Sequence, residues 1–130
     1  MVLFADASYW ISLFCQNEEN YPRAIELKAE LSHETICVNE HAFGEVFTFL
    51  ARRHGGQVAF EKTSAILSNP RIEVVQAGQG EWREALELGR KYGFSFTDCL
   101  TALQMRRTGV REIVSFDSDF DKFPWIDRIS

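Results

Sequence analysis

Four short apolar stretches, separated by segments with helical spacing, constrain this chain more than any other feature. They are Val2-Leu3-Phe4-Ala5, Thr35-Ile36-Cys37-Val38, Ile72 to Val75 and Glu112 to Phe116. Each is too short for a helix and rich in residues that favour a buried strand. Between them lie helical segments. The first runs from Ala7 to about Gln16, and the second from Pro22 to about Ser32 with Ala24, Leu27 and Leu31 on one face. Asn39 reads as the N-cap of a long helix reaching His54, with Phe43, Val46, Phe47 and Leu50 as its buried stripe. Gly55-Gly56 ends it, and Gln57 to Leu67 forms a further helix closed by Ser68-Asn69-Pro70. Trp82, Ala85, Leu86 and Gly89 mark a helix that stops at Gly93, and Thr97 to Arg107 forms the last, stopped by Gly109. Strands alternating with helices predict an α/β fold. Three layers are expected, a central parallel sheet of four or five strands between helices, with right-handed crossovers. No repeat, low-complexity tract or linker interrupts residues 1–130, so one domain is expected.

At 130 residues, 45% of them hydrophobic and eleven of them Phe, the chain can build a core without disulfides or metals as staples. Cys15, Cys37 and Cys99 are odd in number and widely spaced, which fits buried apolar roles rather than disulfides or a zinc site. No apolar run reaches the roughly 18 residues of a membrane span, and Asp6 sits too early for a signal peptide. A cytoplasmic protein is the expectation. Fourteen Lys and Arg against nineteen Asp and Glu leave a net charge of −5. That balance argues against gripping a polyanion with a generally basic surface. Any contact with nucleic acid must draw its positive charge from metal ions or a local patch, and a basic protein partner is accommodated.

Ligands of open α/β sheets bind at the carboxyl ends of the strands. Asp6 and Asp117 directly end apolar runs, Asp119 follows two residues later, and Asp98 opens the helix leading into the last strand. Gathered carboxylates repel, and a hard divalent cation is the usual compensation. Each residue also has a structural explanation. Asp6 and Ser8 can cap a helix, Ser95-Phe96-Thr97-Asp98 fits a capping box, and Asp117-Ser118-Asp119 fits a turn. Glu45 lies off the apolar stripe of its helix, as a solvated residue would. On the residues alone both readings stay open. His33, His41 and His54 lack metal-ligand spacing and read as surface or capping residues. No nucleophile–histidine pattern or phosphate-binding glycine loop is present.

Four segments, taken in order, resemble the PIN domain family, in the style of VapC toxins of bacterial and archaeal toxin–antitoxin pairs. They are Phe4-Ala5-Asp6-Ala7-Ser8-Tyr9-Trp10-Ile11, Gly44-Glu45-Val46-Phe47-Thr48-Phe49-Leu50, Phe94-Ser95-Phe96-Thr97-Asp98-Cys99-Leu100-Thr101-Ala102 and Ile113-Val114-Ser115-Phe116-Asp117-Ser118-Asp119-Phe120. Some family members carry Thr where this chain has Ala7, and the hydroxyl at Ser8 is retained. The resemblance implies a metal-dependent endoribonuclease with Asp6, Glu45, Asp98 and Asp117 as its acidic set. It implies Mg²⁺ or Mn²⁺ on Asp6, Asp98 and Asp117, with Asp119 assisting, Glu45 as a ligand or positioning the attacking water, and Ser8 orienting Asp6. It also implies an RNA substrate, an antitoxin partner and a homodimer, for which Trp10, Phe14 and Tyr21 are candidate contacts. Arg52, Arg53, Arg106 and Arg107, with Arg111, are candidates for the RNA backbone, although helix C-termini attract such cations anyway. Two rivals stand: a PIN-fold module that binds without cutting, and a receiver-like phosphoacceptor domain. The latter wants a lysine at the end of a late strand, where this chain has Asp117.

Overall fold

The structure is a computed structural model describing Met1 to Ser130. In chain order the elements are β1 (Val2–Ala5), α1 (Ala7–Phe14), α2 (Tyr21–Glu30), β2 (Thr35–Asn39), α3 (Glu40–His54), α4 (Gly56–Ser68), β3 (Ile72–Val75), α5 (Gln79–Tyr92), α6 (Phe96–Thr108), β4 (Glu112–Val114), a 3-10 turn (Ser118–Lys122) and β5 (Asp127–Ile129). The five strands pair in parallel in the order β3-β2-β1-β4-β5. The three-layer expectation holds.

Why the strands read as unbroken apolar runs is visible in the packing: both faces of the sheet are covered. Successive side chains alternate sides, so β1 to β4 each feed two cores. Leu3, Ala5, Ile36, Val38 and Val114 pack with residues of α1 to α4, among them Leu27, Val46, Leu50 and Ile66. Phe4, Cys37 and Ile113 point the other way, onto Ala102 and Met105 of α6 and onto Phe120 and Phe123. Burying a side chain such as Phe4, which has no exposed surface, contributes roughly 1.5–3 kcal/mol. Helix α6 is buried continuously from Cys99 to Met105, as a helix enclosed between layers must be.

That burial includes Gln104, which has no exposure. Its Oε1 accepts from Asn39 Nδ2 at 2.9 Å, and its Nε2 donates to the Val75 carbonyl at 3.4 Å. Asn39 in turn accepts the His41 and Ala42 backbone N–H groups at 2.7 and 3.3 Å, the N-cap its sequence position predicts. One amide pair thus ties α6 to the carboxyl ends of β2 and β3.

Several expectations are corrected. β4 stops at Val114 rather than Phe116, so Asp117 stands on a turn beyond the strand. β5 adds a strand that the apolar runs do not reveal. Asp127-Arg128-Ile129 holds one apolar residue, and an edge strand needs only backbone pairing to β4. Phe47 is 41% exposed, and Ala42 takes the buried place on the α3 stripe. Trp10 is 3% exposed and packs in the core, with Phe14 stacked on it at 6.1 Å, so Trp10 offers nothing to a dimer partner. The three cysteines are buried and free, and no helix is long and apolar enough to cross a membrane.

Candidate metal centre

The strand order reverses between β1 and β4, and the loops leaving these neighbours run apart to open a crevice. Asp6 follows β1 as the N-cap of α1, Asp117 caps the 3-10 turn after β4, and Asp98 lies in the first turn of α6. From these three distant segments, one carboxylate oxygen each comes within 4.8 Å of the others. The N-cap and turn bonds form, but they do not account for where the carboxylates go, and the capping box is only half made because Asp98's side chain does not return a bond to the Ser95 N–H. Ser95 Oγ accepts the Asp98 N–H at 3.1 Å, and Asp117 accepts the Asp119 N–H at 2.9 Å, while the carboxylates still converge.

Asp6 is held most firmly. Ser8 donates to Oδ1 at 2.7 Å, Ser115 donates to Oδ2 at 2.7 Å, and the Tyr9 N–H reaches Oδ1 at 3.2 Å. Ser8 thus fixes one of the Asp6 oxygens by a hydrogen bond. Ser115, fully buried and without a role in the sequence reading, also accepts the Asp117 N–H at 3.0 Å and so links the Asp6 carboxylate to the Asp117 backbone. Its position two residues before Asp117 was the available signal. Phe116 closes the loop by donating its N–H to Ser8 Oγ at 2.9 Å.

Glu45 stands on the exposed side of α3 and enters by another route. Thr97 Oγ1 donates to its Oε1 at 2.7 Å, which fixes it beside Asp98. Nothing in the sequence pairs residues so far apart, and Thr97 was missed for that reason. Asp119 gives its backbone N–H to Asp117, and its carboxylate lies outside the triangle of Asp6, Asp98 and Asp117.

The site is electrostatically uncomfortable for anions. Burial pushes Asp6 up to about 6 despite its three donors, with Asp117 adding repulsion. Asp98 rises to about 7, through burial first and then through Asp6 and Asp117. Three hard oxygen donors that resist being charged together, one of them 4% exposed, suit a divalent cation such as Mg²⁺ or Mn²⁺. The donor set fits.

The predicted basic contacts divide. Arg52 and Arg53 share a groove with Glu45, Thr48 and Phe49. Phe49 also lines a second groove, with Ser8, Phe116 and Asp117, so the two grooves share that ring as a common wall. Arg53 sits over the Phe49 ring at 5.1 Å and 3.9 Å from Glu18. Arg106 and Arg107 are not brought to the site. They lie two turns beyond Asp98, roughly 12 Å along α6, and pair with Glu84 at 3.0 Å and Glu81 at 3.3 Å. Arg111 precedes β4, at the amino end of the strand and so away from the carboxylates, and pairs with Asp127 at 3.5 Å. His33 and His54 are exposed, and His41 packs edge-on to Trp82 and Phe96.

Comparison with known proteins places this arrangement. The chain is 30% identical over 122 residues to the 23S rRNA-specific endonuclease VapC20 of Mycobacterium tuberculosis, covering 92% of each protein. The crystal structure of that toxin matches with a TM-score of 0.83 at 24% identity, over 97% of this chain and 98% of the other. VapBC2 from Rickettsia felis, bound to a promoter DNA fragment, matches with a TM-score of 0.71 at 16% identity, over 99% and 98%. The family model described as PIN domain matches residues 3–126, and with that span covered, this chain belongs to the PIN domain family.

Proposed function

We propose that this chain is an endoribonuclease of the VapC kind, cleaving RNA phosphodiester bonds with Mg²⁺ or Mn²⁺ held by Asp6, Asp98 and Asp117. The observation that carries this reading is the convergence of those three carboxylates within 4.8 Å, at the point where strand order reverses. The cation, when bound, acidifies a water and offsets charge on the scissile phosphate. The chain's own groups do the rest. Ser8 and Ser115 hold both oxygens of Asp6 so that it need not reorganise. Thr97 occupies Oε1 of Glu45 and leaves Oε2 free of bonds within the chain, ready to accept a proton from an attacking water. Asp119 is left out of the ligand set.

RNA would cross Phe49 from the groove beside Asp117 to the one beside Arg52 and Arg53, which supply the local positive patch that a net charge of −5 demands. The assay is incubation with a mixed RNA pool. Cutting is expected in Mn²⁺, none in EDTA, and the Arg52→Gln, Arg53→Gln double variant should show a salt dependence of RNA affinity shallower by about one to two in log–log slope. Binding without cutting in Mn²⁺ would put the silent module in place of the enzyme.

The structures similar in fold include VapBC2 from Rickettsia felis and a toxin–antitoxin complex from Klebsiella pneumoniae, the latter at a TM-score of 0.67 and 14% identity over 98% of this chain and 96% of the other. We infer from the family resemblance that an antitoxin would cover the cleft, with an arginine on the carboxylates by bidentate pairing, and that the chain would form a homodimer. Light scattering at micromolar concentration should give twice the 15.0 kDa chain mass, and a strict monomer would remove the dimer.

A further inference from the structure

Arg128, on the edge strand β5, is 19% exposed and forks onto Asp121 of the 3-10 turn. Its Nε meets Oδ1 at 2.9 Å and its Nη2 meets Oδ2 at 3.0 Å, a bidentate pair. The remaining nitrogen, Nη1, donates to the backbone carbonyl of Ser115 at 3.2 Å. Ser115 N–H, in turn, donates to the Ile129 carbonyl at 3.0 Å. Ser115 is therefore gripped through both backbone polar groups from β5. Its hydroxyl is the group that bridges Asp6 Oδ2 and the Asp117 N–H.

We propose that Arg128 is a positioning residue for the cation site: its fork onto Asp121 and Ser115 sets the spacing of Asp6 and Asp117 through the Ser115 hydroxyl. A guanidinium suits this because its planar donors reach a carboxylate and a carbonyl in fixed relative directions, which an ammonium cannot do. Paired with Asp121, it offsets part of its charge locally, so it holds the ligands without presenting an unpaired cation to the incoming metal. The proposal rests on the cation-site reading for its consequence, while the positioning itself can be measured without metal.

Two measurements test it on the full chain. In EDTA, amide hydrogen exchange at Phe116 and Asp117, whose N–H groups donate to the Ser8 and Ser115 hydroxyls, should quicken at least tenfold in Arg128→Gln. Val38, in the sheet core, should keep the parent rate. Calorimetric titration with Mn²⁺ alone should show about tenfold weaker binding by Arg128→Gln, and non-additive losses when Ser115→Ala is combined with it. Arg128→Lys keeps the charge but not the fork and should lose affinity as well; it decides the matter if Arg128→Gln does not fold. Unchanged exchange at Phe116 and Asp117 overturns the positioning role, as does Mn²⁺ binding in Arg128→Gln at or above the parent affinity. A parent chain that binds no Mn²⁺ sinks the cation-site reading instead and leaves the exchange result to judge Arg128.

Discussion

Asp98→Asn is expected to lower Mn²⁺-dependent RNA cleavage by about a thousandfold, ~4 kcal/mol of barrier, without weakening the fold. Both halves of that result follow from the same geometry. Asp98 contributes one of three mutually close carboxylate oxygens, and asparagine offers a neutral, weaker donor in its place. The backbone cap from Ser95 to the residue-98 N–H survives the change. In EDTA the variant should melt at or above the parent temperature, because an anion crowded by Asp6 and Asp117 has been removed. Asp6→Asn should behave alike in cleavage, with Ser8 and Ser115 still able to bond an amide. Single-turnover cleavage of one labelled RNA, beside a melt in EDTA, reads out both. Cleavage within tenfold of the parent would remove Asp98 from the chemistry.

Without metal, the parent should be more stable at pH 5 than at pH 8, the reverse of what paired carboxylates usually produce. The sign follows from the direction of the perturbation. Asp6 and Asp98, with ordinary values of 3.8, rise to about 6 and about 7 in the folded chain. Between roughly pH 4 and pH 7 the folded state therefore holds protons that the unfolded chain has released, and stability falls as pH rises through that window. Each pH unit of separation is worth about 1.4 kcal/mol at most. Partial exposure of Asp98 and sharing of charge within the cluster reduce the sum to about 2 kcal/mol. For a chain of this size that is a fall in Tm of about 8 °C. Asp121, lowered by its bond to Arg128, acts in the opposite direction but loses its contribution only below pH 4, outside the window. Adding Mn²⁺ at pH 8 should restore the loss, since a hundredfold excess over the dissociation constant stabilises by about 2.7 kcal/mol. Calorimetric melts at both pH values, with EDTA and with Mn²⁺, test the claim. A Tm in EDTA equal or higher at pH 8 would contradict the crowding described here.

The layered fold was legible because its causes are local. An apolar run such as Leu3 to Ala5, buried on both faces, reads as an internal strand, while Asn39 marks a helix start through its side-chain oxygen and Gly93 and Gly109 mark helix ends through their left-handed backbone. Elements with weak local signals escaped. β5 is specified by pairing with β4 rather than by its three residues, and Phe47 shares the helical spacing of the buried stripe yet faces solvent.

At the site, the residue types and order pointed to Asp6, Asp98 and Asp117, but each also had a sufficient explanation as a cap or turn. Only the strand order, which puts β4 beside β1, brings them within reach of a shared ion, because a strand's neighbours are chosen by long-range packing and not by its own residues. The same is true of Ser115 on Asp6, Thr97 on Glu45 and Arg128 on Ser115. Hydrogen bonds act over about 3 Å, whatever the separation along the chain. The sequence by itself determined which elements form and which side chains can bear charge; the tertiary structure decided which of those charges meet.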